Sequence, residues 1–278
     1  MPTLSQKLEK ATDVFFAYYV DVFCMYVCIA LVYLHRFTHF HVNVFTTSMV
    51  LIANTLLVVG VYTFNKVTDR KEDQYNQRPL QYFTNTKIYS ISSFSLGISF
   101  LLYVLCEKSS ILPYWFVLFF LGIFYSFPKN KRLKNVFILK NAVPAFCWFL
   151  SVAILLSAST ARLSLADTTR LAFPLFMFVF AFEILWDLPD RRGDKIARVH
   201  TLPVCIGFFY TQIVLATMII GLFVMGGSLT NKLTSAALFF FIIWVSEDTP
   251  KYVYHVFLLA LICIVTGVYF LDYAIFGR

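Results

Sequence analysis

Long apolar runs separated by short charged loops set the pattern of this chain. The runs fall at about 14–34, 43–64, 88–105, 111–127, 141–159, 167–186, 202–225, 233–246 and 254–276, most of them close to the roughly 20 residues that one helical bilayer crossing needs. The pattern predicts an all-α, polytopic membrane protein with nine transmembrane helices. The run at 233–246 is short for a full crossing, and those at 88–105 and 111–127 leave room only for a tight hairpin between them.

Composition agrees with this reading. With 59% apolar and 14% charged residues, the chain lies far outside the soluble globular range. The polar stretch Met1 to Lys10 lacks the apolar run and cleavage site of a signal peptide. The six cysteines fall in or beside apolar runs without metal-type spacing, and they read as small core residues.

Loop charge orients the bundle. Of the 23 Lys and Arg residues, 17 lie on the side of the N-terminus: before the first helix, from Lys66 to Lys87, from Lys129 to Lys140, from Arg191 to Arg198, and at Lys251. The positive-inside rule makes the N-terminus cytoplasmic and puts the C-terminus on the opposite side. The net charge of +8 follows from this topology, and nucleic acid is excluded as a partner.

Two of the loops on that side carry matched acids. Asp69-Arg70-Lys71-Glu72-Asp73 returns 121 positions later as Asp190-Arg191-Arg192-Gly193-Asp194, each copy where an apolar run meets a charged loop. Carboxylates four apart on a helix share a face. Asn65, Asp69 and Asp73 continue one stripe, and Asp187, Asp190 and Asp194 make another. Clustered carboxylates repel without a counter-charge, and Mg²⁺ supplies one through one or two carboxylates, retained waters and phosphate oxygens. The stripes therefore point to Mg²⁺ and a diphosphate, with the metal as Lewis acid on the leaving group. The basic loop from Tyr125 through Lys129 to Lys134 is on the same side and can neutralise the departing diphosphate. Arg70 and Arg191 are further candidates to bind it. Read blandly, the acids are solvated loop residues paired with neighbouring arginines, and the basic loop is purely topogenic.

The constant offset, with a pair of helices before each motif, predicts a single domain over 1–278 built by internal duplication, about 14–127 and 141–246, with a last helix at 254–276. A pseudo-twofold bundle of two four-helix units plus one helix would bring the stripes face to face.

These residues resemble the signatures of the UbiA-type intramembrane prenyltransferases, N-x-x-x-D-x-x-x-D and D-x-x-D-x-x-G-D. They stand here as Asn65 to Asp73 and Asp187 to Asp194, with Arg78-Pro79-Leu80 and Thr201-Leu202-Pro203 at family-like positions downstream. The resemblance implies an enzyme that binds an isoprenyl diphosphate through Mg²⁺. Metal ligands would be Asn65, Asp69, Asp73, Asp187, Asp190 and Asp194, with Asp69, Asp190, Tyr125 and Lys129 catalytic. Asn65, Arg70, Lys129, Lys134 and Arg191 would hold the diphosphate. Lys66 follows Asn65 where many members that prenylate aromatic acids have Asp, and the first helix lacks their arginines, which argues against an aromatic carboxylate acceptor.

After ionisation, two fates are open for the allylic cation: transfer to a lipophilic acceptor, ranked first, or cyclisation onto its own double bonds. Both need a dry cavity in the membrane. The chain is 19% aromatic, and Phe173, Phe176, Phe178, Phe180 and Phe182 could line a prenyl tunnel, although membrane helices also carry Phe simply for packing. Asp21 and Glu183 sit within apolar runs and should face a cavity or a partner. Asn54 reads as a helix-to-helix hydrogen bond. A transporter or structural bundle ranks last, because these acids sit at helix ends rather than at the membrane midplane.

Overall fold

In lipid, backbone groups must find partners within the segment, so apolar runs of this kind become helices. The computed structural model describes residues 20–38, 41–69, 75, 85–106, 109–127, 132–159, 164–225 and 229–276, and among them no strand occurs. The helices are α1 Val20–Thr38, α2 Val44–Thr68, α3 Asn85–Leu105, α4 Leu112–Ser126, α5 Leu139–Ser159, α6 Leu165–Asp187, α7 Arg191–Ala197, α8 Leu202–Ile206, α9 Phe208–Met225, α10 Leu229–Trp244 and α11 Lys251–Phe276. Six of them (α2, α3, α5, α6, α9 and α11) are long and apolar enough to cross a membrane, while apolar stretches in α1, α4 and α10 are shorter. The protein is an integral, multi-pass membrane protein.

The run expected at 202–225 divides. Gly207 takes φ 91°, a left-handed conformation open to glycine, and its N–H closes α8 onto Pro203 O at 3.1 Å before α9 begins.

The chain forms two compact units: one of residues 30–73 and 81–180, the other of residues 1–29, 74–80 and 181–278. In the first, α2 is tied to three neighbours by polar groups that lipid could not satisfy. Ser92 and Ser99 of α3 donate to the Gly60 and Ala53 carbonyls at 2.7 Å. Asn54, fully buried, donates to Ser151 O of α5 at 3.0 Å and accepts from Tyr103 of α3, which is the helix-to-helix role expected of it. Gly122 of α4 lies so close to α2 that a Cβ there would sit 2.6 Å from Val61, so only glycine permits this approach. α5 is the core of this unit, with Val152 to Leu156 inaccessible.

In the second unit, Gln212 of α9 donates to the Ile242 and Val245 carbonyls at the end of α10, at 2.6 and 2.9 Å. Phe241 of α10 stacks on Phe257 of α11 with centroids 3.8 Å apart. Of the six cysteines only Cys106 is buried, and Cys205 and Cys263 are exposed, so the small-core reading holds for one alone. A thiol is apolar enough to face lipid.

The phenylalanines of α6 do not form one stripe. Phe173, Phe176 and Phe180 stack in a row with centroids 6.0 Å apart, and Phe149 of α5 meets Phe176 edge-on. At 100° per residue, Phe178 and Phe182 fall on the other side of the helix.

Candidate active site

The first motif begins inside α2 and ends at its C-terminus. Asn65 is buried in the last full turn, and its side-chain oxygen accepts from Ser126 Oγ at the end of α4. Asp69 is the C-cap, its N–H donating to Asn65 O at 2.8 Å. An acid is poorly suited to this end of a helix, where the dipole is negative. Cations compensate. Lys134 Nζ lies 2.5 Å and Arg132 Nη1 3.3 Å from Asp69 Oδ1, and Thr68 Oγ1 lies 3.1 Å from the same atom. Both cations are almost entirely buried, at 5% and 6% side-chain exposure. They come from a single 3₁₀ turn, Leu133–Asn135, whose geometry Arg132 fixes by donating from Nε to Asn135 Oδ1 at 2.8 Å. The basic loop thus turns two charges inward, against burial cost, onto one carboxylate.

Tyr125, one residue before Ser126, lies in the last turn of α4. Its hydroxyl donates to Lys140 O at 3.1 Å, tying the end of α4 to the start of α5 across the basic loop. Arg70, Asp73 and Lys129 lie outside the described residues, as does the Arg78-Pro79-Leu80 segment. Asp21 lies on α1, but its side chain lies outside them too. Arg132 was not singled out by its sequence position. Nothing in the local sequence marks it out from the other cations of the loop.

The second motif occupies the end of α6, the turn after it and α7. Asp187, Asp190 and Asp194 are all buried, at 5%, 2% and 3% exposure. Asp190 precedes α7, and its carbonyl accepts the Asp194 N–H at 2.8 Å. Its carboxylate is held by Lys251, the first residue of α11, whose Nζ lies 2.5 and 2.6 Å from the two oxygens. Arg191 points elsewhere, to Glu247, and Arg192 pairs with Asp248 at 3.2 Å, so α7 is pinned to the α10–α11 loop. Arg198 closes α7 in a left-handed conformation, φ 59°. Glu183, one turn before Asp187, is half-buried on α6.

Among the described residues, no three acidic, histidine or cysteine side chains converge into a ready-made metal cage. The donor set nonetheless suits Mg²⁺, which uses one or two carboxylates and completes its shell with water and phosphate. Three buried carboxylates share the second motif, and a buried carboxylate needs charged or hydrogen-bonding partners. Buried polar atoms without a hydrogen-bond partner include Trp186 Nε1, Thr201 Oγ1 and Tyr254 Oη, all in the unit that carries this motif.

A family model described as the UbiA prenyltransferase family matches residues 22–275. A UbiA homolog from Archaeoglobus fulgidus is similar in fold at 14% identity and TM-score 0.62, over 92% of this chain and 96% of that one. The same homolog bound to GPP and Mg²⁺ matches at 16% identity and TM-score 0.57, over 88% and 95%. Its form bound to DMAPP and Mg²⁺ matches at 16% and 0.56, over 88% and 96%. No curated protein sequence matches the chain.

Proposed function

Since the chain belongs to the UbiA prenyltransferase family, we propose that it is an Mg²⁺-dependent intramembrane enzyme that ionises an isoprenyl diphosphate, passes the prenyl group to a lipophilic acceptor and releases diphosphate. One observation carries this reading: the equivalent acids of the two motifs, Asp69 and Asp190, each hold a lysine ammonium at 2.5 Å. Carboxylate and ammonium side by side are the two charges that an Mg²⁺-diphosphate needs.

Asn65, Asp69 and Asp73 in one unit, and Asp187, Asp190 and Asp194 in the other, would each hold Mg²⁺. When bound, Mg²⁺ supplies charge neutralisation to the leaving diphosphate. Lys134 and Arg132, with Lys129 and Arg70, bind the diphosphate oxygens, where preorganised cations stabilise charge that grows as the C–O bond breaks. Tyr125 keeps the basic loop in place through Lys140. Ser126 sets the rotamer of Asn65.

The nine apolar segments cross the membrane, α7 and α8 excepted, with the N-terminus and both motifs cytoplasmic and the C-terminus opposite. The excess of Lys and Arg on that side supports this orientation. The common lysine on Asp69 and Asp190 supports an internal duplication of about 14–127 in 141–246.

Transfer stands ahead of cyclisation because the family is named for prenyl transfer. The test is to incubate the purified protein and Mg²⁺ with geranyl, farnesyl and geranylgeranyl diphosphates, first alone and then with a membrane lipid extract. Diphosphate release that waits for the extract supports transfer. Cyclic hydrocarbons or alcohols without it would make the protein a cyclase. Absence of release in both, or release that persists at full rate in Asp69→Ala or Asp190→Ala, would remove the reading.

A further inference from the structure

Lys251 is one of many basic residues on its side of the chain, and nothing in its sequence neighbourhood separates it from a topogenic lysine. Its position in the structure does. We propose that Lys251 is a diphosphate-binding residue of the second motif, a counter-ion of Asp190 that moves from the carboxylate to the diphosphate when Asp190 takes up Mg²⁺. This rests on the diphosphate reading above.

Two contacts place it. Asp190 meets Lys251, and Trp186, four residues earlier, stacks on His255, four residues later, with centroids 5.8 Å apart. The end of α6 therefore runs antiparallel to the start of α11, with residue 187 level with residue 254. Lys251 stands at the outer end of this seam, on Asp190.

Charge gives the motive. Lys251 holds both oxygens of the buried Asp190, the atoms that a metal ion would also need. A divalent cation arriving there repels Lys251 from the oxygens it now holds. The lysine can respond, since its stem is flexible, it has three donors, and its side chain is 26% exposed against 3% for Asp190. Donors without acceptors lie on the same two helices, α6 and α11. Tyr254 Oη, on a fully buried residue one turn along α11, and Trp186 Nε1, one turn back on α6, have no hydrogen-bond partner. Buried orphan donors call for an acceptor, and diphosphate oxygens are acceptors only. The first motif repeats the arrangement independently, with Lys134 on Asp69.

The test uses the full chain in lipid nanodiscs and two probes, Mg²⁺ alone and inorganic pyrophosphate with saturating Mg²⁺, titrated calorimetrically. Lys251→Met should weaken pyrophosphate binding about tenfold or more, the loss expected for one charged hydrogen-bonded contact. It should leave Mg²⁺ binding unchanged or tighter, because a competing cation has gone. Lys251→Arg should restore pyrophosphate binding. Pyrophosphate affinity within about twofold of wild type overturns the proposal, and so does a parallel fall in both affinities, which marks a lysine that only shapes the motif. Acetylation footprinting of the wild-type protein tests it without any variant. Modification of Lys251 should rise with Mg²⁺ alone and fall when pyrophosphate follows, and indifference to both overturns the idea. Asp69→Asn and Asp190→Asn separate the two levels of inference. If they lose pyrophosphate while Lys251→Met keeps it, only the lysine assignment fails; if they keep it, the diphosphate reading fails and takes this assignment with it.

Discussion

The two acidic motifs share a sequence but hold their equivalent acids with different cations. Of the described side chains around the first, Asp69 faces two buried cations, Arg132 and Lys134, drawn from one tight turn. Around the second, Asp187, Asp190 and Asp194 are all buried and Asp190 shares one partly exposed lysine. Asp69 is thus held by two buried cations and Asp190 by a partly exposed one. A duplicated Asp-x-x-x-Asp does not require duplicated chemistry. The contrast suggests a division of labour, in which the first motif is better furnished for phosphate oxygens and the second for the metal.

The largest effects should come from the acids themselves. Asp190→Asn and Asp69→Asn should each slow diphosphate release by about 10³-fold, the loss of about 4 kcal/mol of charge stabilisation. Their Mg²⁺ dependence should differ: the concentration for half-maximal rate should rise further in Asp190→Asn. Equal shifts would break the division of labour while leaving the enzyme reading intact.

How much of this was legible beforehand differs between the motifs for physical reasons. Helices follow from apolar runs because lipid leaves the backbone no alternative, and even the Asn54 contact could be expected from the cost of a buried amide. The break at Gly207 was not legible, since nothing in an apolar run shows which glycine will take a positive φ. Lys134 was legible as a member of a basic loop. Arg132 and Lys251 were not, because local sequence carries no sign of which cations a turn will fold inward, or that the first residue of α11 will reach Asp190, 61 positions earlier. Charge rows on a helix can be read from spacing, but pairings across the bundle belong to tertiary structure. The phenylalanines of α6 teach the same lesson in reverse: a stretch that is rich in rings is not a stripe until the period is counted.

Next in size are the cations of the first motif. Lys134→Met should weaken Mg²⁺-pyrophosphate binding about tenfold, the scale of one charged contact. Arg132→Met should do the same and also lower the melting temperature, because Arg132 additionally braces Asn135. Calorimetric titration and thermal unfolding of the two variants check this. An Arg132→Met protein with normal pyrophosphate affinity would assign that residue to the scaffold and narrow the phosphate side of the comparison to Lys134. Ser126→Ala should act more gently, loosening Asn65 and costing about threefold in rate, in line with the roughly 0.5–1.5 kcal/mol of one neutral hydrogen bond.

The smallest effect is expected at Arg191, and it is the sharpest discriminator. Sequence position makes Arg191 a natural diphosphate ligand, next to Asp190, yet its guanidinium pairs with Glu247 on the α10–α11 loop. That pair is partly exposed, 30% on the arginine and 44% on the glutamate, and pairs of this kind contribute about 0–1 kcal/mol. Arg191→Gln should therefore change pyrophosphate affinity by less than about threefold, against about tenfold for Lys251→Met. Glu247→Gln should match Arg191→Gln in stability and leave affinity alone. If instead Arg191→Gln costs as much as Lys251→Met and Glu247→Gln tightens binding, Glu247 is competing with the diphosphate for the arginine. The second motif would then gain a phosphate-binding cation of its own, and the division between a phosphate side and a metal side would disappear.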